Sequence, residues 1–132
     1  MHGDLYEAQL LTQGGRVSGV LDIDTVGLGR RLDDLCNLLG HLVVWERLSP
    51  DPQRVRAYAR DVLALADRRA APSQVRLRVA AVVLALATGP FRVQSPAWPA
   101  ETVQRIALAT EWFGSSRNLT TRARLRAVAT GS

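Results

Sequence analysis

The residues of this chain best suited to chemistry are acidic and stand at the two ends of one short N-terminal stretch. Asp4 follows His2-Gly3 at the start, and Asp22 and Asp24 follow an apolar run further on. If these carboxylates meet, one can accept a proton from a hydroxyl while another holds a divalent cation that neutralises phosphate charge. This pairing of a base with a cation ligand indicates phosphoryl transfer as the candidate chemistry.

The residues between these acids predict a β-hairpin that brings the carboxylates together. Apolar Leu10 and Leu11 precede a turn at Gly14-Gly15, and the β-rich run from Val17 to Ile23 returns after it. Antiparallel strands bring their outer ends together, so the loop entering the first strand lies beside the residue leaving the second. We therefore expect Asp22 at the end of the returning strand, in one site with Asp4.

Three motifs in this order resemble the aminoglycoside phosphotransferase and choline kinase family of kinase-like enzymes. They are His2-Gly3-Asp4 with a polar side chain five positions after the Asp, the strand end Asp22-Ile23-Asp24, and a Gly-containing loop from Gly27 that leads to Asp34-Leu35 at a helix start. The motifs cover the first third of the chain, and the helical remainder fits by general character.

The resemblance implies a role for each residue of the catalytic loop. Asp4 is the catalytic base, and His2 has a structural position beside it. Asp34 corresponds to a buried Asp whose carboxylate accepts backbone N–H groups and supports the loop.

The resemblance also implies a metal site on the hairpin. Asp22 is a ligand of Mg²⁺, and Gln9 stands where the family usually has an Asn as second ligand, with its amide oxygen one methylene further out. Asp24 either assists Asp22 with the cation or only ends the strand. The phosphate donor implied is ATP or GTP, and the acceptor is a hydroxyl of a small molecule of the aminoglycoside-like class.

The family likeness implies the C-terminal lobe of a protein-kinase-like fold. Kinase-like enzymes hold ATP with a strand Lys under a Gly-rich loop, but all 17 basic residues of this chain are Arg and no such loop is found. We therefore expect an incomplete enzyme whose N-terminal lobe comes from upstream sequence or a partner chain. With Asp4 so near a terminus that is expected to fray, the isolated chain is expected to be inactive.

Beyond residue 31 the apolar periodicity predicts helices alone. The fold class expected is mainly α with a small N-terminal β-hairpin, in one domain of residues 1–132. Residues 1–31 form the catalytic loop and metal hairpin, and residues 32–130 form a helical bundle. The expected helices run from a cap at Asp33 to Ser49-Pro50, from about Asp51 to Ala71-Pro72, from Ser73 to Ala87, from Pro99 to Gly114 and from Leu119 to Val128.

Composition limits the other possibilities. An apolar fraction of 47% argues against disorder. The single cysteine, Cys36, has apolar neighbours and predicts a small core residue in a reducing cytoplasm. No signal peptide is evident, and the apolar run from Val79 to Ala87 is shorter than the ~20 residues of a membrane span. We expect a soluble cytoplasmic protein.

Two alternatives to an enzyme stay open. A catalytically inactive relic or binding module would keep the scaffold and bind a partner without chemistry, and the absence of Lys and the presence of Gln9 favour it. An Arg-rich helical domain that binds nucleic acid would fit the net charge of +5, but it leaves the acidic residues of the hairpin unexplained.

Overall fold

The computed structural model of the protein describes residues 1–129 and is mainly helical, with one two-stranded antiparallel sheet near the N-terminus. It contains two compact units, Met1–Ala66 and Asp67–Ser132. The strands are β1 (Leu10–Gln13) and β2 (Arg16–Val20), and the helices are α1 (Arg31–Trp45), α2 (Pro52–Asp67), α3 (Pro72–Leu86), α4 (Gly89–Arg92) and α5 (Trp98–Ala129). Short 3₁₀ turns cover Glu7–Gln9 and Ile23–Thr25.

The predicted class, mainly α with an N-terminal hairpin, is confirmed. The single domain over residues 1–132, divided at residue 31, stays a prediction. Residue 130, the last of the expected bundle, lies outside the described residues.

The hairpin of β1 and β2 turns at Gly14-Gly15, as predicted. Both glycines have positive φ, +58° and +76°, which the tight turn requires and other residues rarely adopt. Leu10 pairs with Val20 and Gln13 with Arg16, and an irregularity in register falls between Leu11 and Thr12. The turn chemistry therefore determines the pairing that brings both ends of the hairpin together.

Helix α1 begins earlier than its acidic residues suggest. The sequence predicts a cap at Asp33, but the N-cap is Arg30, and Asp33 and Asp34 lie in the first turn. Carboxylates in a first turn interact favourably with the helix dipole, which explains their place just inside the helix. The α-helix ends at Trp45 and is followed by turn residues instead of continuing to Ser49.

Helix α2 presents a buried stripe at alternating spacings of four and three residues. Its members are Val55, Ala59, Val62 and Ala66. On the exposed side, Arg56 donates through Nε and Nη2 to Oε1 of Glu46, just beyond the end of α1, at 2.8 and 2.6 Å.

In the second unit α3 packs against α5. Val75, Val79 and Val83 of α3 are fully buried, and Ser116 Oγ of α5 donates to the carbonyl oxygen of Ser73 at 2.8 Å. The segment Pro72–Arg92 is long and apolar enough to cross a membrane by length and composition alone. The buried core helix of a soluble protein passes the same test, so the segment is weak evidence for a membrane span.

The last helix corrects the sequence-based boundaries. A stop at Gly114 and a separate helix from Leu119 to Val128 are expected, but α5 is continuous through Gly114. Gly114 does not adopt a positive φ, so it does not make the left-handed turn that ends many helices at glycine. A helical glycine costs about 1 kcal/mol relative to alanine, which a long packed helix tolerates.

Candidate functional site

The site begins with a carboxylate that holds the first residues of the chain. Asp34 Oδ2 accepts the backbone N–H of His2 at 2.8 Å, and Asp34 Oδ1 accepts that of Gly3 at 2.9 Å. Asp34 is half-buried in the first turn of α1, and both of its oxygens are used. One side chain thereby connects α1 to the two residues immediately before Asp4.

The loop after β2 holds the same residues from another direction. Thr25 Oγ1 donates to the carbonyl oxygen of His2 at 2.6 Å. Met1 N donates to the carbonyl oxygen of Gly27 at 2.8 Å, and Gly27 N–H donates to that of Met1 at 3.1 Å. These bonds hold Met1 and His2 against the loop that follows β2.

Both the backbone conformation and the surroundings of residue 3 require a glycine. Its φ is +94°, and a Cβ added there would lie 3.0 Å from the carbonyl oxygen of Thr25. Only glycine combines this backbone angle with so close an approach at little cost. The turn that presents Asp4 therefore depends on the middle residue of His2-Gly3-Asp4.

The His2 side chain joins this loop to the end of the hairpin. Its Nε2 lies 2.9 Å from the carbonyl oxygen of Leu21. A carbonyl oxygen only accepts, so Nε2 carries the proton and Nδ1 of a neutral ring is left as an acceptor. Nδ1 is buried without a hydrogen-bond partner. The position of His2 is thus structural in its contacts, linking the residue before Gly3 to the residue before Asp22.

Gln9 and Asp22 meet at the outer end of the hairpin. Gln9 Nε2 donates to Asp22 Oδ2 at 3.3 Å, and Leu21 N–H donates to the Gln9 carbonyl oxygen at 2.8 Å. Gln9 is only 4% exposed, and its Oε1 is buried without a partner. Asp22 is exposed and lies two residues beyond β2, in a left-handed conformation with φ of 54°. The expectation from the sequence that Asp22 ends the strand is therefore wrong.

Asp4 itself is exposed, and its partner is a residue that no sequence motif indicates. Asn37 Nδ2 of α1 donates to Asp4 Oδ1 at 3.3 Å and to the carbonyl oxygen of Leu5 at 3.0 Å. The only available signal is spacing, since Asn37 follows Asp34 by three residues and lies on the same helix face. Spacing places Asn37 on that face but does not show that it reaches Asp4.

The donor set at Gln9 and Asp22 suits a cation shared with phosphate oxygens. No cluster of three or more His, Cys, Asp or Glu side chains able to hold a metal occurs within residues 1–129. Mg²⁺ commonly takes one or two protein oxygens and completes its shell with substrate phosphates and water. The Gln9 amide faces Asp22 through Nε2, and its buried Oε1 has no partner, so exchange of the two ends of the amide would present an oxygen beside the Asp22 carboxylate. Asp24 lies exposed in the 3₁₀ turn after Asp22.

The described residues thus place a glycine-turned hairpin, with acidic residues at its outer end, before the helices. The family model described as APH, phosphotransferase enzyme family, matches residues 1–73, more than half of the chain, and the chain belongs to this family. The predicted family resemblance is confirmed. Searches of curated proteins and of solved structures found no significant match.

Proposed function

We propose that the protein transfers the γ-phosphate of ATP or GTP to a hydroxyl of a small molecule of the aminoglycoside-like class. Asp4 is the catalytic base, and residues 1–31 form the catalytic loop and metal hairpin of the C-terminal lobe of a protein-kinase-like fold. The observation that best supports the proposal is the pair of hydrogen bonds from His2 and Gly3 to Asp34, because they hold the residues before an exposed Asp4. Family membership supports the reaction class.

In the proposed step, the Asp4 carboxylate takes the proton of the acceptor hydroxyl. The hydroxyl oxygen forms a bond to the γ-phosphorus, the bond from that phosphorus to the β-phosphate oxygen breaks, and a nucleoside diphosphate leaves. Positioning and electrostatics supply nearly all the catalysis of such a transfer. The hydrogen bonds to the backbone of His2 and Gly3 support this positioning by holding the residues before the exposed Asp4 carboxylate.

Gln9 and Asp22, with Asp24 nearby in sequence, are the residues that would hold Mg²⁺. The ion, when bound, would neutralise charge on the phosphates. Gln9 would contribute its unpaired Oε1 once the amide turns that oxygen toward Asp22, and the turn costs the present bond from Nε2 to the Asp22 carboxylate. Asp22 contributes an exposed carboxylate that nucleotide phosphates can approach.

In this proposal a separate lobe, supplied by upstream sequence or by a partner chain, holds the nucleotide. The protein is proposed to act in the cytoplasm. The basic residues of the chain are all Arg, so the Lys that grips phosphate in kinase-like enzymes would belong to that lobe. The buried thiol of Cys36 is consistent with a reducing compartment.

The experiment is a transfer assay with Mg²⁺-ATP or Mg²⁺-GTP and a panel of aminoglycosides, choline-like amines and sugars. The purified chain is assayed alone and with the N-terminal lobe of a related family member. We expect turnover only with the added lobe, and we expect Asp4→Asn to abolish it. Asp61→Asn, an exposed carboxylate of α2, is the matched control and should keep full activity.

Two results would contradict parts of the proposal. Robust turnover by the chain alone, abolished by Asp4→Asn, would refute the need for a second lobe. Turnover that survives Asp4→Asn would refute the assigned base. If neither preparation turns over any acceptor, the inactive binding module becomes the better interpretation.

A second measurement addresses the metal site. In the preparation with the added N-terminal lobe, isothermal titration should show binding of Mg²⁺-nucleotide that Asp22→Ala removes and Asp61→Ala leaves intact. Unchanged binding in Asp22→Ala would refute the metal assignment.

A further inference from the structure

Three residues on one face of α1 contact successive residues of the N-terminal loop. Asp34, Asn37 and His41 are spaced by three and four residues, which places them one above another on a helix. Asp34 accepts the N–H groups of His2 and Gly3. The rings of His41 and Tyr6 are stacked, with centroids 4.7 Å apart and planes at 24°. The middle member of this face, Asn37, contacts the segment between these two anchors.

The Asn37 amide has two hydrogens and uses them on two successive residues of that segment. Nδ2 donates to Asp4 Oδ1 at 3.3 Å and to the Leu5 carbonyl oxygen at 3.0 Å. A primary amide has two N–H donors on one nitrogen, so both bonds can exist together. The bond to Leu5 sets the backbone position just after Asp4, and the bond to Oδ1 sets the carboxylate.

The bond to the carboxylate matters because backbone contacts alone do not orient it. Asp34 holds only backbone groups before Asp4, and an exposed Asp side chain otherwise rotates freely about its own bonds. Asn37 is the residue of α1 whose side chain reaches that carboxylate with a donor. With Oδ1 accepting from Asn37, Oδ2 is the oxygen left to face an acceptor.

We propose that Asn37 is a positioning residue for phosphoryl transfer, one that orients Asp4 so that Oδ2 receives the proton of the acceptor hydroxyl. The inference rests on the proposed function in taking Asp4 as the base. Stacking of Tyr6 on His41 extends the same support, because it anchors the loop on the far side of Leu5. Asn37 acts through Asp4 and touches neither the acceptor nor the nucleotide.

The contact is tested without any turnover by NMR of the full chain. The sequence contains two asparagines, Asn37 and Asn118, so their side-chain amide signals are readily assigned and Asn118 serves as an internal control. We expect Asp4→Ala, which removes the acceptor oxygens, to shift the Asn37 amide signals and leave those of Asn118 unchanged. Asn37 signals that match those of Asn118 and do not respond to Asp4→Ala would overturn the proposal.

The kinetic test compares variants of similar shape in whichever preparation, the chain alone or the chain with the added lobe, catalyses phosphoryl transfer. Asn37→Asp removes the donor without changing the size of the side chain, and we expect kcat to fall about 10- to 100-fold, as for a misplaced catalytic group, with KM for nucleotide and acceptor unchanged. Asn37→Gln keeps the donor and should restore part of kcat. Asn118→Asp, exposed on α5, should have no effect.

The outcomes separate this inference from the proposed function. An unchanged kcat in Asn37→Asp would overturn the positioning role even if Asp4 proves to be the base. A fall caused by partial unfolding would raise KM or lower thermal stability, and Asn37→Gln would not rescue it, which also counts against the proposal. If no preparation turns over, the proposed function fails, and the NMR result alone upholds or overturns the contact.

Discussion

Asp34 and His2 are separated by 32 positions in the sequence, yet the Asp34 carboxylate accepts the backbone N–H of His2 at 2.8 Å. A carboxylate is a strong acceptor, and a bond from a neutral N–H to a charged group contributes more than an ordinary hydrogen bond. The helix α1 thereby determines the position of a loop that has little regular structure of its own. The stability of that loop should therefore depend on residues outside it.

Replacement of Asp34 tests this dependence. Asp34→Ala strands the N–H groups of His2 and Gly3, and we expect the free energy of unfolding to fall by about 1–3 kcal/mol for each donor that stays desolvated. Urea denaturation followed by circular dichroism measures the loss. Asp61→Ala, an exposed position of α2, should change stability little. An Asp34→Ala protein as stable as wild type would mean that these two bonds do not hold the loop in solution.

Gly3→Ala should destabilise the same loop by a different route. The backbone at φ of +94° is unfavourable for alanine, and the new Cβ would press on the Thr25 carbonyl oxygen at 3.0 Å. We expect a loss of about 1–3 kcal/mol, the usual cost of a strained backbone conformation. Gly14→Ala is the control, because Gly14 also has a positive φ but has nothing within 4 Å. Equal melting temperatures for the two variants would show that contact with Thr25 adds nothing.

Replacement of Gln9 should weaken Mg²⁺-nucleotide binding without lowering the free energy of unfolding much. Its buried Oε1 has no partner, and an unsatisfied buried acceptor costs about 1–3 kcal/mol. Gln9→Met keeps the length of the side chain and removes the orphaned oxygen along with the bond to Asp22. The free energy of unfolding should stay within about 1 kcal/mol of wild type or rise, because the two effects oppose each other.

Isothermal titration of the same Gln9→Met variant should show weaker binding of Mg²⁺-nucleotide. The combination of kept stability and lost affinity is characteristic of a residue retained for function. A strongly destabilised variant with normal affinity would instead assign Gln9 to the fold alone.

Gly114→Ala should stabilise the protein. Gly114 lies within α5 and does not have a positive φ, and a Cβ added there would meet nothing within 4 Å. Alanine in a helix interior is favoured over glycine by about 0.5–1 kcal/mol, so the melting temperature should rise. A lower melting temperature would indicate that the helix ends at this glycine, as the sequence alone suggests.

The local parts of the site could be predicted from the sequence because they depend on neighbouring residues. Gly14-Gly15 determines the hairpin turn, since positive φ is available to glycine, and alternating strand geometry then brings the ends of β1 and β2 together. The three motifs around Asp4, Asp22 and Asp34, in that order, identified the family, which the match over residues 1–73 confirms. The start of α1 after Arg30 and the continuation of α5 through Gly114 could not be predicted, because a residue that can cap or end a helix does so only when the rest of the fold allows it.

Only the tertiary structure decided which side chains meet around Asp4. The sequence places Asn37 one turn beyond Asp34, and that spacing determines the shared face of α1. Whether the face reaches the carboxylate depends on where the loop of residues 1–6 lies relative to the helix, and that position is set by bonds across more than 20 residues, to Thr25 and Asp34. Long-range contacts of this kind leave no periodic or turn signal in the sequence. Asn37 could therefore be identified as the partner of Asp4 only from the positions of the loop and α1 in the structure.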